Sequence, residues 1–435
     1  MLRLRTVAEA FRNSLFFLPS LFVLASVVLW RVMLTVDATV DSEGLPELVR
    51  FGPGTAGPLL ATIAGATITV AGIVFSVTVV AVQLASSQFS PRVLRGFLRD
   101  RFQQVVMGLM VGTFTYAMLT LGSAGDATPH LTVAVAEVLA LVALLGILAS
   151  IDHTARNMVV GEIARRITDE TVETVVRTLR SGPEGSSAST GQRHQPPQED
   201  PTLVVRSPET GWVQQLDGAG LLGALPAGAT AELEARVGSF VVADRPLVRL
   251  WCPDGVDGVG RLQDEVGEHV VVGRARTMQE DPAFGIRQLV DVALRALSPA
   301  INDPTTAYEV VVHLGAVLVE VVKRQPVARL WVEDRDRRLL RPREIDVAGY
   351  LERSFGQIRA SGREHPVVHI AILGVLAMLA DEALASGLRD RVTLMRRQAE
   401  LVLAEADQSS TLAFDRDRVR RAAAPLVEEA AAVEL

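Results

Sequence analysis

Cysteine is nearly absent from this chain. Cys252 stands alone among 435 residues, which excludes an intramolecular disulfide, a CxxC redox pair and a cysteine-rich zinc site. Lysine is as scarce, with Lys323 the single example, so almost all positive charge is arginine. That bias fits a GC-rich bacterial genome better than selection for bidentate anion binding. Charged residues make up 21%, below the roughly 25% of a soluble globular protein. The net charge of −7 argues against the strongly basic face that a nucleic-acid partner requires. Catalytic signatures are missing as well: there is no P-loop, no HExxH and no nucleophile elbow, so neither a catalytic centre nor a metal or cofactor is expected. What the chain has in excess is apolar. Hydrophobic residues reach 49% and the mean hydropathy is +0.28.

Four uncharged or nearly uncharged runs reach the length a bilayer demands, about 20 residues at 1.5 Å rise. They are Leu15–Thr35, Pro58–Ala85, Val105–Gly122 and Leu131–Ile151. The first run is longer than a signal-peptide core and three more follow, so it reads as a retained helix. Arg3, Arg5 and Arg12 precede the first span, and Arg92, Arg95, Arg99 and Arg101 follow the second. Asp37, Asp41, Glu43 and Glu47 against Arg50 occupy the loop between those spans. By the positive-inside rule, both termini are expected on the cytoplasmic side of a bacterial plasma membrane.

The second span carries a polar stripe. Thr55, Thr62, Thr69, Ser76, Gln83 and Ser90 recur every seventh residue, and Gly65, Gly72 and Ser86 fall on the same period. Such a seam serves two ends: close helix packing, or a water-lined path for an ion or small solute. Gly108 and Gly112 make a GxxxG in the third span, read as packing. Glu137 lies inside the fourth span as an intramembrane carboxylate, or one that snorkels to the outer interface. At the inner end, Asp152 and His153 meet Arg156 and Asn157, an ion-sensing cluster or an interfacial collar. No proline interrupts residues 131–179, so the fourth span is expected to continue into the cytosol as one helix.

Residues 181–201, rich in Gly, Ser, Pro and Gln, read as a flexible linker. TLVVR, GWVQQLD, AELEARV, SFVVAD and PLVRLW then predict short strands in a small module resembling a barrel-sandwich. The acceptor lysine of a lipoyl or biotinyl carrier is missing, since Lys323 lies far outside. Beyond Met278 the pattern is helical. Arg287, Asp291 and Arg295 share one face of a helix over Phe284–Leu297. The turn SPAINDPTTA follows, and Asp303–Pro304 is a helix start. Ser298, Asn302, Thr305 and Thr306 set hydroxyls and an amide beside free N–H groups. That is chemistry suited to an anion, or to a tight helix–loop–helix without ligand. RLWVEDRDRRLL reads as a charged hairpin, and Val367–Leu379 as a core helix too short to span. His365 and His369 share a face without a third ligand.

VAVQLASSQFSPRVLRGFLRD, IDHTARN and FGIRQLVDVALRALSPAINDPTTA together resemble a bacterial family of predicted membrane proteins, domain-of-unknown-function family 2254. The resemblance covers nearly the whole chain. It implies four membrane helices followed by a cytosolic region, and it supplies no activity.

The expected organisation is therefore a four-helix transmembrane domain over 1–152, a helical extension over 153–180 and a linker over 181–201. A β-rich module over 202–280 and a helical domain over 281–435 complete an α+β cytosolic region. The favoured function is a gated ion or small-solute pathway in a homo-oligomer within the lipid bilayer. The alternative is a membrane-anchored sensor or scaffold whose cytosolic part binds a partner or small anion.

Overall fold

The four apolar runs fold as the helices their length requires. The computed structural model describes residues 17–40, 46, 50–51, 54–88, 101–123, 129–157, 160–179, 187–189, 195–253, 255, 258–324 and 328–428. Helices α1 (Phe17–Asp37), α2 (Ala56–Gln88), α3 (Arg101–Ser123) and α4 (His130–Asn157) carry the runs. The chain divides into two compact units, Met1–Glu162 and Ile163–Leu435. Residues 158–159 lie outside the described residues, as do the arginines before α1, those at 92, 95 and 99, and the acids at 41, 43 and 47.

In the first unit α3 packs against α1, α2 and α4. Two of its glycines bring it close to α1. A Cβ on Gly108 would lie 2.7 Å from Phe22 Cδ2 and 3.2 Å from Pro19 Cα, and one on Gly112 would lie 2.8 Å from Ser26 Oγ. The GxxxG is thus the seam along which α1 meets α3. Leu60, Met110, Tyr116 and Val133 are fully buried between the helices. Gln103 Nε2 donates to Thr78 Oγ1 at 2.8 Å, pinning α3 to α2 where lipid could not satisfy either group. At the other end, Asp37 accepts from the backbone N–H groups of Leu131 (2.9 Å) and Thr132 (2.7 Å). An acid read as loop charge is therefore the cap of α4, donated from another helix.

The second unit contains all but the first three residues of α5 (Val160–Thr178), whose buried face includes Ile163, Ile167, Thr171 and Val175. Five strands form where the sequence predicts them: β2 (Leu203–Arg206), β3 (Gly211–Leu216), β4 (Thr230–Leu233), β5 (Phe240–Val241) and β6 (Pro246–Trp251). Helices α6 (Gly218–Ala224) and α7 (Val259–Glu268) and strand β7 (Val270–Gly273) complete that stretch. β1 (Ser187–Ser189) lies inside the segment expected to be linker. The charged hairpin is β8 (Leu330–Glu333) and β9 (Arg337–Leu340), paired antiparallel.

The strands do not close into a barrel. They form a six-stranded sheet in the order β1-β8-β9-β4-β6-β2 and a separate three-stranded sheet β5-β3-β7. β9 joins β4 in parallel, with Ala231 opposite Leu339. The barrel-sandwich expectation fails because a hairpin about a hundred residues downstream supplies two strands of the larger sheet, a pairing no local pattern announces. Leu221, Leu247, Val248, Leu250, Val266 and Leu339 form the core of this layer.

The remaining helices are α8 (Pro282–Ala296), α9 (Pro304–Lys323), α10 (Val347–Ser361), α11 (Pro366–Ala385), α12 (Val392–Ser409) and α13 (Ala413–Glu428). α11 packs against α9, α12 and α13, and α10 packs against α8 and α12. Six helices among the described residues are long and apolar enough to cross a membrane, where the sequence reading counts four: α9 and α11 join α1–α4. The reading cuts the α11 run short at Leu379, before Asp381 and Glu382. The helix continues through those charges to Ala385 and reaches 20 residues.

Candidate functional site

The polar stripe of α2 faces away from the rest of its unit. Thr62, Gly65, Thr69, Gly72, Ser76 and Gln83 are exposed, whereas Leu60, Ile63, Ala64, Ala71 and Val74 form the buried side of the same helix. Three stripe hydroxyls donate to the carbonyl four residues earlier: Thr62 to Pro58 at 2.8 Å, Thr69 to Gly65 at 2.7 Å, Ser76 to Gly72 at 2.9 Å. A Cβ on Gly65 or Gly72 would meet nothing within 4 Å. Within the described residues, then, the stripe is not used to pack this chain's own helices. Ser90 lies outside the described residues.

Glu137 is half-buried on α4. Asp152 forms an exposed ion pair with Arg156 at 3.0 Å, one turn along the helix. His153 lies against Phe102, ring centroids 4.6 Å apart. Among the described contacts, Asp152 and His153 thus have different partners.

The SPAINDPTTA turn is held by its own bonds. Asn302 takes a positive φ of 51°, a conformation asparagine tolerates better than most residues. Its N–H donates to Ser298 O at 2.8 Å, and Asp303 N–H donates to Ala296 O at 2.8 Å. Asp303 caps α9, accepting from Thr305 N and Thr306 N, both at 3.1 Å, and from Thr306 Oγ1 at 2.6 Å. These bonds hold its carboxyl below the usual carboxylate range, the Thr306 hydroxyl contributing most. The Thr305 and Thr306 N–H groups at the helix start are thus occupied by Asp303. Arg287 pairs with Asp291 at 2.8 Å and donates to Gln357 Oε1 at 2.6 Å, on the α10 side rather than toward the turn. Ser298 Oγ donates to Arg295 O at 2.7 Å.

Two stretches have the Gly-x-Gly-x-x-Gly spacing, at residues 52–57 and 218–223. The second forms α6, a seven-residue helix following a strand whose neighbours are both antiparallel. A dinucleotide fingerprint requires a parallel βαβ unit, so this spacing carries no phosphate site.

A polar concavity lies within the second unit. It is a cavity of about 300 Å³ lined by Arg177, Leu216, Arg236, Glu280, Asp281, Trp331, Arg341, Glu344 and Tyr350, among others. Asp281, whose side chain is 1% exposed, is held by Arg276 at 2.6 Å and Arg236 at 3.8 Å. Arg276 also lies over the rings of Trp212 (5.6 Å) and Phe284 (5.1 Å). Gly238 abuts the Asp281 carboxylate at a φ of 82°, a backbone setting and a closeness that only glycine meets. Arg341 pairs with Glu344 at 2.5 Å and stacks over Trp331 at 4.6 Å. Glu280 accepts from Leu216 N–H at 3.0 Å. Burial pushes the Arg236 guanidinium below its usual value, with Arg353 and Arg276 adding repulsion against the pull of Asp281. The Tyr350 phenol is pushed up by burial.

Sequence reasoning misses this site because its residues span positions 177 to 350 and none forms a local motif. The one available signal is the mix of tryptophan with charges in RLWVEDRDRRLL, which reads only as a charged hairpin. Among the described residues, no group of three or more His, Cys, Asp or Glu side chains is placed to hold a metal.

Comparison with known proteins adds a family. Residues 12–378 match the family model described as "Predicted membrane protein (DUF2254)". Proteins described only as uncharacterized, one from Mycobacterium bovis and one from Mycobacterium tuberculosis, are each 32% identical over 395 residues, covering 86% of this chain and 73% of theirs. No solved structure gives a significant match. The chain belongs to the DUF2254 family of predicted membrane proteins.

Proposed function

We propose that this protein is a four-span bacterial plasma-membrane protein whose copies meet through the α2 stripe. The path between them carries an ion or small solute, and the cytosolic second unit gates it. The observation that carries this is the outward stripe. Gln83 is exposed on it, and a primary amide unpaired in hydrocarbon costs several kcal/mol. Open glycines at 65 and 72 leave room for a neighbouring backbone.

Sheet pairing supports four spans rather than six. If α9 crossed the membrane, β8 and β9 would lie on the side opposite β4, yet β9 pairs with β4. If α11 crossed, α10 and α12 would be parted, yet Arg359 of α10 pairs with Glu405 of α12 at 2.8 Å. Both helices read better as the interior of the cytosolic unit, since these pairings join the elements on either side of each helix.

The test uses Thr69→Cys and Ser76→Cys in a Cys252→Ser background, reconstituted in liposomes. Both cysteines are expected to react with small water-soluble thiol reagents, and the reaction to change ion flux. Unreactive cysteines in a folded, assembled protein would mean a dry seam and no path. The second reading, a membrane-anchored sensor, is favoured by the charged cavity of the second unit and would survive that result.

A further inference from the structure

We infer that the cavity between β3, β8 and α10 is a binding site for a small organic anion, a carboxylate or phosphate carried on a flat apolar body. The inference is independent of conduction, because every lining residue belongs to the second unit.

The donor and acceptor balance carries it. The acids of the cavity are each engaged: Asp281 by two arginines, Glu344 by Arg341, Glu280 by the Leu216 N–H. The donors are not all engaged. Trp331 is 9% exposed and its indole Nε1 is buried without a hydrogen-bond partner among the described residues. Arg341 Nε, on a side chain stacked on that indole, is likewise buried and without a hydrogen-bond partner. A buried donor left unmade costs about 1–3 kcal/mol, so two on adjacent side chains of the cavity wall favour a ligand acceptor that these side chains turn to meet. Charge points the same way. Arg177, Arg236 and Arg341 line the cavity and Arg353 is near enough to depress Arg236, against three engaged acids. Leu216, Ile345, Trp331 and Tyr350 supply apolar walls for the body of the ligand. The volume, about 300 Å³, is at the small end of ligand sites, which suits a metabolite and not a macromolecule.

Benzoate is the probe, with benzamide as its neutral counterpart and inorganic phosphate as the anion without a flat body. Each is titrated into the full chain in detergent, following tryptophan fluorescence and melting temperature. Benzoate is expected to give saturable changes in both, benzamide none, and phosphate a weaker saturable response. Arg341→Gln should weaken benzoate by at least about tenfold, as expected for a lost hydrogen bond to a charged group. Trp331→Phe keeps the ring and loses the N–H, and should weaken it by about two- to tenfold. It decides the matter through melting temperature if Arg341→Gln does not fold. Arg165→Gln, an exposed arginine pairing with Asp169, should leave binding unchanged. No saturable response to benzoate or phosphate, an equal response to benzamide, or full affinity in the folded Trp331→Phe protein would overturn the assignment.

Discussion

Asp303 shows how far one side chain can be read and where reading stops. The dipeptide Asp303–Pro304 announces a helix start, and the structure delivers it with three hydrogen bonds to the carboxylate. The same bonds occupy the N–H groups that made the turn attractive for an anion, and only coordinates reveal that the acid itself fills the role. Asp303→Ala should destabilise the second unit by about 0.5–2 kcal/mol, seen as a lower melting temperature with benzoate binding intact. The pH dependence follows from sign. The folded carboxyl lies below its unfolded value, so its contribution is complete above about pH 4, the unfolded range. That contribution is lost as pH falls through the folded value. The melting-temperature gap between wild type and Asp303→Asn should therefore be constant from neutral pH down to about 5 and narrow below that. A gap independent of pH into strong acid would show that the cap is not carried by the ionised form.

Helix by helix, the legible features are those written in a short window. Apolar length marks α1 to α4, alternation marks β2, β3 and β6, and the Gly108–Gly112 spacing marks a packing seam. Pairings over long separations leave no such trace. Asp37 caps α4 some 94 residues away, and β9 joins β4 across about a hundred, so one acid reads as loop charge and the sheet as a small barrel-sandwich. The candidate cavity is illegible for the same reason, since Arg236, Asp281, Trp331 and Tyr350 meet only after the sheet and α10 have packed. The two glycine pairs give a contrast to measure. Gly108→Val must push against the backbone of Pro19 as well as Phe22, an overpacking that costs typically about 1–3 kcal/mol. It should lower the yield of folded protein and loosen α1 from α3. Gly72→Val meets nothing within its own unit and should fold normally. If copies pack through the stripe, it should instead reduce oligomeric mass in light scattering. Normal mass together with normal flux in Gly72→Val would remove the stripe from any interface.

For the molecule as a whole, the decisive quantity is the number of crossings, because it fixes which compartment the cavity samples. Length and hydropathy alone admit six helices, and composition cannot discriminate a span from the centre of a large helical bundle, since both are apolar all round. Connectivity discriminates where composition fails. The hairpin β8–β9 stands between α9 and α11 in sequence, and its hydrogen bonds to β4 tie it to the side of the membrane that holds residues 230–251. Arg335, exposed at the tip of that hairpin, is thus the position where the two counts differ most. In a Cys252→Ser background, Thr39→Cys, exposed just beyond α1, should be labelled in intact cells by a membrane-impermeant maleimide. Arg335→Cys should be labelled only after the membrane is permeabilised, as should Arg156→Cys at the far end of α4. With four crossings all three results hold together, and an anion in the cytosol reaches the cavity directly. Labelling of Arg335→Cys from outside, with Arg156→Cys still protected, would mean that α9 crosses. The six-stranded sheet could not then exist as described, and both the four-span topology and a cytosolic ligand site would fall with it.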